Sequence, residues 1–147
     1  MRITYEKVRA VTEPELVHGG RALKVFSPIS MEEVVCMPGD DCLIPTGLKF
    51  PDLFYDYTVQ SLYLSLFSKE AGVGGGLERE GQREGRYVLM IPTYIEEELF
   101  IHIINVGKTE VKVKPDKPIA YLTFHKVERL EIGEEEEDDG GEENPWT

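Results

Sequence analysis

The sequence predicts an all-β domain, and three observations carry that reading. Residues 98–127 hold three short apolar runs punctuated by turn chemistry. Within them, residues 110–114 (EVKVK) alternate strictly, valines to one side and charges to the other, as a half-buried strand requires. Glycine, proline, asparagine and aspartate recur between the runs, at the points where a chain must reverse.

Taken in order, residues 3–10 (ITYEKVRA) read as a strand of mixed polarity, broken by Thr12-Glu13-Pro14 and His18-Gly19-Gly20. A short run follows at residues 21–27 (RALKVFS). Strands at 33–36 and 42–44 lie either side of Pro38-Gly39-Asp40-Asp41, and Pro45-Thr46-Gly47 turns the chain into Leu48-Lys49-Phe50. Residues 54–67 (FYDYTVQSLYLSLF) are aromatic and β-branched, again of strand character. Residues 69–86 are glycine-rich with mixed charge and little to bury, which predicts a flexible loop. Its Arg79, Arg83 and Arg86 do not stand in a P-loop or dinucleotide-binding order. A strand at 87–91 then leads through a link at 92–97 into the last three runs.

Those runs are 99–104, 110–114 and 119–124, expected to pair as an antiparallel meander. Asn105-Val106-Gly107-Lys108 ends the first with residues that tolerate positive φ. Pro115 and Pro118, flanking Asp116-Lys117, force the second turn. Ile101 and Ile103 are expected to face the core together, as are Leu122 and Phe124.

A chain of 147 residues suits one domain with a real core, assigned to residues 1–130. No stretch approaches the ~20 apolar residues of a membrane helix, and no signal-peptide pattern is seen, so a soluble, intracellular protein with no membrane partner is expected. Nine of the 28 acidic residues lie from Glu131 onward, where there is no Lys or Arg. The first 130 residues therefore hold 19 acids against 16 bases. This near-balanced body with an acidic tail (131–147) argues against nucleic acid, which needs clustered Lys and Arg. Acid-rich tails are ordinarily solvated and disordered. This one ends in Asn144-Pro145-Trp146-Thr147, and Trp146 is the only tryptophan. An indole is seldom left uncovered, so Trp146 and Pro145 are read as candidate protein-binding residues, docking on a partner or a neighbouring subunit.

Cys36 and Cys42 fit neither a CxxC nor a zinc pattern and are read as small buried hydrophobes rather than a disulfide. His18, His102 and His125 are scattered, and no nucleophile–base spacing accompanies them, so structural roles are expected. Tyr55, Tyr57, Tyr63 and Tyr94 are read as core or subunit-contact aromatics.

Two segments resemble the trimeric dUTPase family. Residues 37–50, MPGDDCLIPTGLKF, are similar to the family's PPGETALVPTGLKI. Residues 114–124, KPDKPIAYLTF, are similar to KKGDRIAQLIF, and Ile104-Asn105 matches the phenylalanine-asparagine pair before it. The resemblance implies a distorted jelly roll and a homotrimer. It also implies which positions would carry chemistry: acidic groups to orient magnesium and water, an aromatic under the deoxyribose, and basic groups on the phosphates. At those positions stand Lys24 for an aspartate, Leu62-Tyr63 for the Ser-Gly of a signature, and Pro92 for the aspartate that acts on water. Ile95 replaces the tyrosine, and Pro118 and Tyr121 replace an arginine and a glutamine. The family's glycine-rich final motif is replaced by the acidic run 134–139. Asp56 or one of Glu96, Glu97 and Glu98 is the nearest substitute for a lost carboxylate.

The expected function is non-catalytic, with no catalytic, cofactor or metal residues: a structural or protein-binding role on an enzyme fold. Degenerate relatives of this kind resemble accessory proteins of large DNA viruses. The alternatives are a divergent nucleotide diphosphatase and an acidic-tailed chaperone of basic proteins.

Overall fold

The computed structural model describes residues 2–63, 73–74 and 88–135. All regular structure among them is β. In chain order the strands are β1 (Glu6–Lys7), β2 (Glu15–Val17), β3 (Ala22–Phe26), β4 (Val34–Cys36), β5 (Asp41–Pro45), β6 (Leu48–Lys49), β7 (Tyr57–Tyr63), β8 (Val73–Gly74), β9 (Val88–Ile95), β10 (Glu98–Asn105), β11 (Val111–Val113) and β12 (Pro118–Lys126). They pair antiparallel into sheets ordered β1-β6, β5-β10-β9, β4-β11-β8 and β2-β3-β12-β7.

The three final runs do not form a meander. β10, β11 and β12 each lie in a different sheet, and each pairs with a strand far away in sequence: β5, β4 and β3. The physical reason lies in the connections. Asn105 is fully buried, and its Nδ2 donates to the carbonyls of Cys36 and Thr109 at 2.9 Å each. Gly107 N–H returns to Asn105 Oδ1 at 3.0 Å. These bonds hold the chain to β4 as it leaves β10, instead of letting it reverse. At the next connection Pro115 and Pro118 have no N–H for a tight hairpin. Asp116 adopts φ 51, and the buried Ser27 hydroxyl donates to the Lys114 carbonyl at 2.6 Å. Each strand is thereby delivered to a new sheet while its apolar side still faces one core.

That core contains Leu99, Ile101 and Ile103 of β10, Val111 and Val113 of β11, and Ile119, Ala120 and Leu122 of β12, all fully buried. The paired orientations expected of Ile101 with Ile103 hold, and Phe124 packs against the same core as Leu122. Ile119 and Ala120 are buried side by side because β12 slips register against β3 between Pro118 and Ala120.

Two further expectations are corrected. Residues 92–95 are not a link: they continue β9, and the reversal is the pair Glu96-Glu97 at φ 49 and 65. A two-residue hairpin with both central φ positive matches the strand twist, and Pro92 is tolerated because β9 is an edge strand. The opening strand is shorter than residues 3–10, reduced to Glu6–Lys7. The 69–86 segment lies outside the described residues except for Val73–Gly74, which pair with β11. Cys36 is buried and Cys42 half-buried, both as free thiols. Among the described residues no helix is long and apolar enough to cross a membrane.

Tyr57 is 2% exposed, its ring edge-on to Phe124 at 5.5 Å, and among the described residues its hydroxyl has no hydrogen-bond partner. Burial, reinforced by Asp52, Tyr94 and Asp56, pushes its pKa up to about 12. An unfolded tyrosine titrates near ~10. The folded chain therefore holds more protons between those values, and stability present below pH ~10 is lost as pH rises toward about 12. Tyr57→Phe is expected to be neutral or to stabilise by about 1 kcal/mol at pH 7, since an orphan buried hydroxyl is removed. It should also flatten the alkaline decline. Denaturant melts at pH 7 and across pH 10 to 12 check both; a marked loss at pH 7 contradicts the orphan assignment.

Candidate functional site

The positions singled out by resemblance fall into two groups. Lys24, Tyr121 and Leu62 lie in one row across the four-stranded sheet: Lys24 opposite Tyr121, and Tyr121 opposite Leu62. Glu15 of β2 extends the row beyond Lys24. Tyr63 is next along, opposite Ala120, and Pro118 opens β12 opposite Phe26. This is what strand pairing does with residues distant in sequence: one register places three of them side by side. The second group, Pro92 and Ile95, lies on β9 in another sheet, opposite Ile101 and Glu98. β7 runs close to β9, so the two groups belong to neighbouring edges. Trp146 and Pro145 lie outside the described residues, as do the side chains of Leu62 and Tyr63.

The row's chemistry is cationic and aromatic. Lys24 is largely covered and lies 3.8 Å from a Glu15 carboxylate oxygen. The Tyr121 and His18 rings stand nearly perpendicular to each other, with centroids 5.1 Å apart. Among the described residues no group of three His, Cys, Asp or Glu side chains is arranged to hold a metal ion.

Two of the four carboxylates weighed as substitutes, Glu97 and Glu98, are engaged elsewhere. Glu97 meets Lys49 Nζ at 3.0 Å, a bond that raises the lysine pKa. Glu98 is 7% exposed and takes Arg9 Nε at 2.9 and 2.7 Å on its two oxygens. The same carboxylate accepts the Gly47 N–H at 3.1 Å, and its hydrogen bond raises the Arg9 pKa above the ordinary arginine value. Next to it, Thr46 donates from both its N–H and its hydroxyl to the Leu99 carbonyl, at 3.0 and 2.6 Å. Gly47 is required here: its φ is 72, and a Cβ would come within 2.8 Å of Val11 Cγ1. Glu96 sits at the hairpin tip, and Asp56 in the turn before β7, where its carbonyl accepts the Val127 N–H at 3.0 Å.

The histidines have local partners. His102 Nε2 is 2.5 Å from Asp41 Oδ2, and His125 Nε2 is 3.2 Å from Thr123 Oγ1. Sequence reasoning did not single out Arg9 or Gly47. The one signal for them was the Pro45-Thr46-Gly47 turn within the resembling segment.

No protein-family model matches the sequence, and no curated protein matches it by sequence. Similarity appears at the level of structure. The chain is similar to a dUTPase from phage phi11 of S. aureus, with TM-score 0.63 and 14% identity over 95% of this chain and 99% of that one. It is similar to the Staphylococcus bacteriophage 80alpha dUTPase with dUpNHpp, with TM-score 0.63 and 15% identity over 94% and 98%. A second phi11 dUTPase structure, described for its species-specific insert, gives TM-score 0.62 and 15% identity. The fold is therefore the dUTPase-like jelly roll, as the two sequence segments implied.

The Glu98 site generates a stability prediction. Glu98→Gln keeps the shape but removes the charge facing Arg9 and one acceptor, and is expected to cost roughly 1–3 kcal/mol. Urea unfolding measures it. A change within experimental error would show that the pair is dispensable to the fold.

Proposed function

We propose that this chain is a non-catalytic protein on the dUTPase fold, with a structural or protein-binding role and a homotrimeric assembly. The observation that carries the reading is Pro92. It occupies, on edge strand β9, the position where the resemblance puts the residue that acts on water, and its side chain has no proton acceptor. Substitutes are poorly placed to take over. Glu97 and Glu98 are held by Lys49 and Arg9, and Lys24 adds a cation at a position where an acid is expected. Pro118 is buried and offers neither the charge of arginine nor an N–H to a phosphate. A regulatory role has a precedent among the structural neighbours, since phage dUTPases are described as controlling the transfer of virulence genes by a proto-oncogenic G protein-like mechanism. The setting proposed for this role is the inside of a host cell.

Incubation with dUTP and magnesium, followed by pyrophosphate detection, is expected to show no turnover. Calorimetry with dUpNHpp is expected to show no micromolar binding. General-base loss alone slows such reactions by about 10²–10⁴. Magnesium-dependent turnover abolished by Asp56→Asn or Glu96→Gln would overturn the reading in favour of a divergent diphosphatase.

The trimer is supported by the outer face of the β5-β10-β9 sheet. Leu43, Leu89, Ile91 and Ile95 are exposed there around the partly covered Phe100 and Ile104. The His102–Asp41 pair and Thr93 share this face, and exposed apolar side chains set around a few polar groups in this way suit an interface between copies. Light scattering is expected to give three times the mass of one chain, and Ile91→Asp to reduce it. A single-chain mass for the unaltered protein at every concentration rules the trimer out.

A further inference from the structure

The turn between β6 and β7 carries the most exposed aromatic pair among the described residues: Phe54 is 61% exposed and Tyr55 83%. The backbone fixes that exposure. Phe54 N–H donates to the Tyr57 carbonyl at 2.7 Å, and the Tyr55 and Asp56 N–H groups donate to the Asp52 carbonyl at 3.1 and 3.0 Å. Phe54 thereby holds φ 73, a conformation that bulky residues rarely adopt. Leu53 and Tyr57 on either side are buried, so the turn is anchored while its tip stands out. The Phe54 ring is further held nearly perpendicular to that of Tyr94, with centroids 6.3 Å apart. Large aromatics kept in place at the surface are the side chains that dominate protein interfaces.

The charges around the tip decide which partner fits. Asp52 and Asp56 flank the two rings; both are exposed, and among the described residues neither has an ion-pair partner. Next to them the buried Tyr57 hydroxyl is a polar group that no described residue engages. The chain leaves β12 at the same place: the Val127 N–H donates to the Asp56 carbonyl at 3.0 Å, and residues 128–135 are exposed beyond it. The acidic tail therefore starts beside the tip, and its like charge excludes it as the occupant. Aromatic rings between unpaired carboxylates select a cation. A guanidinium fits better than an ammonium, because its plane stacks on a ring while its edge meets a carboxylate. We propose that the tip of this turn is a docking surface for an arginine-bearing segment of a partner protein, with guanidinium groups lying on Phe54 and Tyr55 and facing Asp52 and Asp56. The tail adds a field of the same sign from one side, which steers such a segment toward the tip. The inference rests on the protein-binding reading above and names the chemistry of the partner.

Fluorescence polarisation of the full chain with labelled octa-arginine and octa-lysine peptides tests this. Octa-arginine is expected to bind more tightly than octa-lysine by about threefold or more, because only the guanidinium both stacks and pairs. Tyr55→Ser, and separately the double change Asp52→Asn with Asp56→Asn, should each weaken octa-arginine binding by about the same factor. Tyr55→Phe, which keeps the ring, should retain it. Glu32→Gln, at an exposed acid of a different loop, should change nothing. All the substituted side chains are exposed, so thermal melts should match the unaltered chain. Equal affinity for the two peptides overturns the proposal. So does octa-arginine binding that survives both tip variants, since the acidic tail alone would then hold the peptide. A fall in mass by light scattering for Tyr55→Ser also overturns it, because the tip would then be a contact between copies of this chain. Turnover of dUTP by the unaltered chain would refute the non-catalytic reading without altering these affinities, so the two failures are distinct.

Discussion

The fold depends on the buried carboxylate of Glu98. Burying a charge is costly unless every lone pair finds a donor. Here Arg9 and the Gly47 backbone supply them, from two segments that are otherwise distant in sequence. Thr46 adds two donors to the next carbonyl along, that of Leu99. One position at the start of β10 thus fixes the exit of the N-terminal segment, the turn between β5 and β6, and the register of the central strand. The close approach of Val11 to Gly47 is a consequence, and it leaves no room for a larger residue in that turn.

From that anchor the remaining architecture follows as a packing problem. β10 is paired on both sides, with its odd-numbered apolar residues inward and Phe100, His102 and Ile104 outward. Its exit is held by Asn105, whose bonds to Cys36 and Thr109 send the chain across to β4. The Ser27 hydroxyl does the equivalent work before β12, accepting from the Lys117 N–H and donating to the Lys114 carbonyl. Buried polar side chains therefore act at the crossings between sheets. The apolar residues supply the cohesion that makes the crossings worth holding.

The same arrangement explains why the residues at the positions singled out by resemblance sit in the sheets without disturbing the fold. Lys24 and Tyr121 are cross-strand partners at the face of the four-stranded sheet away from Leu122, and Leu62 takes the next register position along that row. Side chains there are constrained by cross-strand neighbours rather than by the core, so a lysine beside Glu15 and a tyrosine beside His18 are accommodated. Pro92 is permitted for a related reason: an edge strand can lack one N–H without leaving a carbonyl of the sheet interior unpaired. Chemistry at these positions and stability of the domain are separable.

Strand content, the inward pairing of Ile101 with Ile103, and the turn at Pro45-Thr46-Gly47 were legible in the sequence because they depend on periodicity and backbone conformation, which are local. Two short segments were enough to indicate the dUTPase-like fold, since each retains the turn residues its backbone needs. The partners of the strands were not legible. A run such as Val111–Val113 states which side it buries but not which strand it joins, and a meander satisfies that pattern as well as a jelly roll does. Pro92 similarly suggested a break, and only the edge position of β9 made it compatible with a strand. Glu98 was singled out only as one of four acids that could substitute for a lost carboxylate; the distant Arg9 and Gly47 make it a buried anchor. The sequence by itself determined what each segment can be. The tertiary structure decided which segments meet, because long-range pairing and the satisfaction of buried polar groups depend on contacts between residues tens of positions apart.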